Sequence, residues 1–97
     1  FYWASRMIAA MADASYSKSI FHIERYQERV MSKGHEYINQ YDELLSKESD
    51  AEKRMQLRQE ANEKIADMVK KETQDTLNKV LYELSNQMKN AYSRSDA

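Results

Sequence analysis

The sequence has no cysteine, no proline and a single glycine, Gly34. Without cysteine it can form no disulfide, no thiolate nucleophile and no cysteine-based zinc site, which fits a reducing compartment. Without proline, and with glycine at one position only, it lacks the residues that most often build turns and end helices. These absences favour an all-α fold made of few, long elements.

An excess of charge of one sign is also absent, because 15 basic and 16 acidic residues give a formal net charge of −1. The two signs are mixed along the chain, so there is no basic stripe that could follow a phosphate backbone. We therefore expect no nucleic acid among its partners.

Motifs for catalysis and metal binding are missing as well. The two histidines, His22 and His35, lack the preceding glutamate of helical di-iron sites. There is no phosphate-binding glycine loop, no nucleophile elbow and no zinc-protease motif. The sequence therefore predicts no catalytic residue, no metal and no cofactor, and a non-catalytic structural role.

The first fourteen residues carry a broad apolar surface. Helical periodicity groups the following side chains there: Phe1, Trp3, Ala4, Ile8 and Met11. The segment is too short to span a membrane, which takes about 20 apolar residues. Aromatic residues beside small apolar ones suit the headgroup layer of a bilayer or a groove on another protein. Residues 1–14 are therefore predicted to be a membrane-proximal or docking anchor, with membrane contact through residues 1–12.

Residues 15–97 have the pattern of a very long, largely continuous amphipathic helix, stalk-like and coiled-coil-like. Apolar residues recur at steps of three and four. With Phe1, Trp3, Ile8 and Met11 of the anchor, the following are predicted to pack on partner subunits: Val30, Tyr37, Tyr41, Leu44, Met55, Ile65, Val69, Leu77, Leu81, Leu84 and Met88. Acid-first i,i+4 pairs stabilise the helix by about 0.2–0.5 kcal/mol each.

The sequence allows this helix to bend at three places, near residues 13–17, 34 and 46–50. Gly34 resembles a C-terminal cap, but it lies on the apolar stripe, so we predict that the helix continues through it. Ser49 and Glu52 have the spacing of a capping box. A helical hairpin that turns near residues 46–50 is therefore the competing topology.

One apolar set recurs every eleven residues along the chain: Leu44, Met55, Ala66, Leu77 and Met88. This period suits a straight or slightly right-handed arrangement rather than a left-handed coiled coil. A rod of this kind cannot bury its stripe alone. We therefore expect it to pack on other protein subunits of a hetero-oligomeric complex.

An apolar anchor followed by a long, charge-paired helix with this recurrence resembles the peripheral-stalk b subunit of F-type ATP synthases, in a divergent, shortened mitochondrial form. The most similar portion is NEKIADMVKKETQDTLNKVLYELSNQM, residues 62–88, and the resemblance covers residues 15–97. It implies a stator helix that couples proton transport to ATP synthesis on the matrix side of the mitochondrial inner membrane. A start at Phe1 rather than methionine fits a removed targeting segment.

Two other structural roles remain open. One is an accessory or tethering coiled-coil subunit of another mitochondrial complex. The other is a soluble adaptor, a three-helix bundle broken near Gly34 and Ser49. Such a bundle would have to bury side chains that lie off the main stripe: Ile20, Phe21, Ile38, Leu45 and Leu57.

Overall fold

The computed structural model describes residues 2–96, with the side chains of residues 3–7, 9–10, 13, 16–90 and 92–93. Two α-helices of 46 residues each make up this range, α1 (Tyr2–Lys47) and α2 (Ala51–Asp96). Residues 2–96 contain no strand, and the predicted all-α fold is confirmed. Three places were predicted where the helix could bend, and within residues 2–96 it is interrupted at the last of them, where residues 48–50 are non-helical.

Helix α1 continues through Gly34, as the apolar periodicity predicted. The glycine has no positive φ, so it does not act as a C-terminal cap. A Cβ at this position would lie 4.0 Å from the terminal methyl of Met68, an ordinary van der Waals distance. The missing side chain is therefore required neither by the backbone conformation nor by a close approach.

The turn between the helices is capped by Asp50 instead of the expected Ser49. Asp50 Oδ2 accepts a hydrogen bond from the backbone N–H of Lys53 at 3.2 Å, and its carbonyl accepts one from Arg54 N–H at 3.0 Å. This is the geometry of an N-cap residue bonded to the third residue of its helix. The Asp50 N–H is itself bonded to Glu48 Oε1 at 3.1 Å.

Arg54 closes the other side of the turn. Its Nη1 donates to the carbonyl of Leu45 at 2.5 Å and to that of Glu48 at 3.0 Å. The last carbonyls of a helix lack intrahelical donors, and a glycine-based cap commonly supplies them. Here a guanidinium from the first turn of α2 donates to one of them, that of Leu45, and to the carbonyl of Glu48 in the turn, which helps the chain to turn without glycine or proline.

The contacts divide the chain into two compact units. Unit 1 consists of Phe1–Arg25 with Asp75–Ala97, and unit 2 of Tyr26–Gln74. Each contains a stretch of α1 packed on a stretch of α2. Over the described residues, neither helix has a window long and apolar enough to cross a membrane.

Unit 2 is an antiparallel helical hairpin with a mainly apolar seam. Its direction follows from contacts that run from Tyr26 with Thr73 to Leu45 with Arg54. Among the described side chains, its Tyr41 and Met68 are the buried hydrophobic ones, 3% and 9% exposed. The half-buried positions beside them are mostly apolar: Val30, Gly34, Tyr37, Leu45, Leu57, Ala61, Ile65 and Val69.

Unit 1 has a polar seam by comparison. Its least exposed described side chains are Ala4, Met7, Ser19 and His22 on α1, and Thr76, Val80, Glu83 and Gln87 on α2. Glu83 lies 3.5 Å from Lys18 Nζ and 3.9 Å from His22 Nε2. The Ser19 hydroxyl is buried without a hydrogen-bond partner. Apolar packing between the two helices therefore contributes less here than in unit 2.

Candidate functional site

The most organised polar cluster is centred on Glu72 in unit 2. Glu72 lies on the seam of α2, and the residue is only 6% exposed. Its Oε2 accepts a hydrogen bond from Arg29 Nε at 2.8 Å, and its Oε1 accepts one from Lys33 Nζ at 2.5 Å. Because Arg29 and Lys33 are one turn apart on α1, the carboxylate is held between them. We call these three residues the Glu72 clamp.

The clamp keeps Glu72 ionised. Hydrogen bonds from Lys33 and then from Arg29 lower the pKa of Glu72 from its ordinary value of 4.5 to about 2, against the opposing effect of burial. Charge-assisted hydrogen bonds of this type are stronger than neutral ones. A buried carboxylate that lost them would be left without compensation for its lost hydration.

Two further contacts flank the clamp in unit 2. The hydroxyls of Tyr26 and Thr73 are 2.8 Å apart and share a hydrogen bond. Lys64 Nζ lies 5.7 Å from the ring centre of buried Tyr41, within the range of a cation–π contact. A side-chain hydrogen bond with Tyr41, followed by charge, raises the pKa of Lys64 above its usual value.

A shallow polar groove runs beside the clamp. Its walls combine lysines, acids and two larger side chains: Lys33, Glu36, Tyr37, Lys64, Asp67, Met68, Lys71 and Glu72. In the part of the chain that the structure describes, no three His, Asp or Glu side chains gather to hold a metal ion. The contacts of the Glu72 clamp and of Tyr26 with Thr73 fix the register between α1 and α2 in unit 2.

The predicted partner-packing residues fall into three groups. Those inside the seam of unit 2 are buried Tyr41 and half-buried Val30, Tyr37, Ile65 and Val69. Those with exposed side chains are Trp3, Leu44, Met55, Leu77, Leu81, Leu84 and Met88. The side chains of Phe1, Ile8 and Met11 lie outside the described residues.

The 11-residue recurrence therefore marks an exposed set, since Leu44, Met55, Ala66, Leu77 and Met88 are all exposed. The residues needed for a bundle core divide similarly. Leu45 and Leu57 are half-buried, whereas Ile20, Phe21 and Ile38 are exposed.

Sequence reasoning missed the Glu72 clamp and Arg54. A signal for the clamp was present, because Glu72 stands four residues after Met68 and four before Thr76, where the seam of α2 continues. A charged residue at a seam position indicates an ion pair from the facing helix. Arg54 gave no such signal, because its role depends on the turn.

Comparison with known proteins identifies relatives of another kind. "Probable dipeptidase A" of Streptococcus pyogenes serotype M3 (strain SSI-1) is 41% identical over 98 residues, which cover 99% of this chain and 20% of that protein. The protein of the same name from serotype M1 is also 41% identical, with 19% of it covered. "Dipeptidase" of Bifidobacterium longum (strain NCC 2705) is 29% identical over 133 residues, 99% of this chain and 25% of that protein.

The chain thus spans about a fifth of the length of the streptococcal relatives that it matches. No family model matches it. No solved structure matches it significantly.

These relatives overturn the predicted identity. They are named dipeptidases and not ATP synthase b subunits, so the resemblance to the peripheral stalk is wrong. The stator role, ATP synthesis, proton transport and the assignment as a non-enzyme structural subunit are wrong for the same reason. The physical cause is that charge pairing and an apolar recurrence describe a long helix with an exposed apolar face, whatever protein contains it. The mitochondrial location and the hetero-oligomeric partners stay predictions.

Proposed function

We propose that this chain is the helical part of a peptidase that hydrolyses dipeptides. The observation that carries the proposal is the 41% identity to the streptococcal dipeptidase, which extends over 99% of the chain. The reaction adds water across the peptide bond, with the hydroxyl going to the acyl carbon and a proton to the departing amine. Two free amino acids are the products.

Within such a peptidase the two helices act as a fixed support. The Glu72 clamp ties the two helices of unit 2 together through Arg29 and Lys33. Arg54 fixes the turn by binding the end of α1. Rigid elements of this kind hold reacting groups in place more accurately than loops do.

The test is a chimera in which this chain replaces the matching segment of the Streptococcus pyogenes serotype M3 protein. Dipeptide hydrolysis is measured by the release of free amino acids, together with the circular dichroism and melting temperature of the chimera. We expect activity within about tenfold of the parent protein, a loss of transition-state stabilisation of about 1.4 kcal/mol or less.

Two controls make the result specific. A chimera carrying a scrambled sequence of the same composition should lose activity. The 97-residue chain is assayed by itself to learn whether it also carries the hydrolytic groups. A correctly folded chimera that releases no amino acids from any dipeptide contradicts the proposal.

Contact of residues 1–12 with a membrane stays a prediction. Trp3 is 79% exposed. Together with Arg6, Met7 and Ala10 it lines a surface hollow. Co-sedimentation with phospholipid vesicles, compared between the native chain and Trp3→Ser, measures this contact directly.

A further inference from the structure

In unit 1, helix α2 carries two parallel stripes of opposite character. The stripe that faces α1 consists of Thr76, Val80, Glu83 and Gln87, the least exposed positions of this stretch. The next stripe, one residue further along at each step, consists of Leu77, Leu81, Leu84 and Met88. Each residue turns the helix by about 100°. The more apolar stripe therefore points about 100° away from the partner helix.

Helix α1 adds to this stripe on the same side of the pair. Ile20 and Ile23 follow the seam positions Ser19 and His22 by one residue. In two antiparallel helices, the residue that follows a seam position points to the same side of the pair on both helices, because the helices run in opposite directions. We call the combined surface the apolar face of unit 1: Ile20, Ile23, Leu77, Leu81, Leu84 and Met88.

The large side chains of this face are open to solvent. Their exposed fractions are 37% and 45% for Ile20 and Ile23, and 49%, 53%, 43% and 66% for Leu77, Leu81, Leu84 and Met88. Contiguous apolar surface of this kind marks an interaction site on a soluble protein. Unit 1 therefore leaves uncovered the surface that best suits burial.

We infer that the apolar face of unit 1 docks on the remainder of the peptidase polypeptide, an inference that rests on the proposed function. The alignment with the streptococcal protein covers 99% of this chain, so it includes the residues of the apolar face. It covers only 20% of the streptococcal protein. The other four-fifths of that protein is tethered to the corresponding segment. Tethering raises its effective concentration above that of any free partner.

The chemistry of the face fits a protein surface. Steps of four, three and four residues from Leu77 to Met88 are those of helix anchors that enter an apolar groove. None of these anchors is charged. The carboxylate of Glu83 is directed to Lys18 and His22 at the seam.

The experiment uses the chimera described above and the 97-residue chain alone. Hydrogen exchange of residues 76–90 is followed by mass spectrometry in both. The test variant is Leu81→Ser with Leu84→Ser. The matched control is Tyr82→Ser, because Tyr82 is 66% exposed but lies outside the apolar face, about 100° around α2 from Leu81 and about 160° from Leu84.

We expect exchange of residues 76–90 to be at least tenfold slower in the chimera than in the chain alone. We also expect the double variant, but not Tyr82→Ser, to abolish this protection. An active chimera in which the face exchanges as fast as in the free chain overturns docking and leaves the proposed function standing. A folded chimera that protects the face but hydrolyses no dipeptide supports docking and overturns the proposed function.

Two other occupants would also overturn the inference. If the chain alone forms dimers by light scattering and protects the face in proportion to dimer content, a second copy covers it. If protection of the free chain appears only with vesicles of anionic phospholipid, and none appears in the chimera, a membrane surface covers it.

Discussion

Arg54 Nη1 donates a hydrogen bond to the carbonyl oxygen of Leu45, so the first turn of one helix completes the last turn of the other. Substitution Arg54→Ala leaves the carbonyls of Leu45 and Glu48 without this donor. We expect a loss of about 1–2 kcal/mol in the free energy of unfolding. Urea unfolding of the isolated chain measures it. Arg58→Ala, at an exposed position one turn later, is the control and should change the unfolding midpoint little.

Glu72→Gln removes the charge of the clamp but keeps the shape of the side chain. Arg29 and Lys33 then face each other without the carboxylate that pairs with both. We expect a loss of about 1–3 kcal/mol, limited because both cations are partly exposed. Thermal unfolding measures this loss of stability. The control is Glu60→Gln, because Glu60 is an exposed i,i+4 partner of Lys64. Equal melting temperatures for the two variants would contradict a stabilising clamp.

Stability should depend on pH through the same residue. The folded-state pKa of Glu72 is about 2, below its ordinary 4.5. A carboxyl whose pKa is lowered on folding adds its full stabilisation to the folded state at pH values above its unfolded pKa. This stabilisation falls as the pH decreases toward the folded pKa. The difference in melting temperature between the native chain and Glu72→Gln should therefore shrink from pH 5 toward pH 2. A difference that stays constant across this window contradicts the assignment.

Gly34→Ala should stabilise the chain. Gly34 is helical without positive φ, and an added Cβ meets Met68 at 4.0 Å without overlap. Alanine is favoured over glycine inside a helix by about 1 kcal/mol. Urea unfolding should show a higher midpoint for Gly34→Ala and a much lower one for Gly34→Pro. A destabilised alanine variant would show that the helices approach each other more closely here.

The sequence predicted the elements of this fold better than their contacts. The absence of proline and the apolar steps around Gly34 were sufficient for a helix that continues through it, because helix formation depends on local preferences. A turn at residues 46–50 was predicted only as the topology competing with one continuous helix, and its cap was assigned to Ser49, one residue early. The Arg54 contact was not predicted, because it depends on the position of one helix end relative to the other.

The candidate site and the function were less accessible to sequence reasoning. The apolar recurrence at Leu77 and Met88 was read as a seam, although these residues lie one position beyond it. Polar residues such as Thr76 and Glu83 occupy most seam positions of α2 in unit 1, so hydrophobicity alone selected the wrong face. The resemblance to a stalk helix followed from that choice.

The turn at residues 48–50 also determines where a longer homologue can differ in length. The alignment with the Bifidobacterium longum protein extends over 133 residues, so that protein carries additional residues within the matched region. One residue inserted inside a helix would rotate every later side chain by about 100° and exchange the polar and apolar stripes. Residues inserted between Lys47 and Ala51 would leave both stripes in phase and change only the contacts of the turn, which are those of Glu48, Asp50 and Arg54. Length variation in this hairpin is therefore best tolerated at its tip.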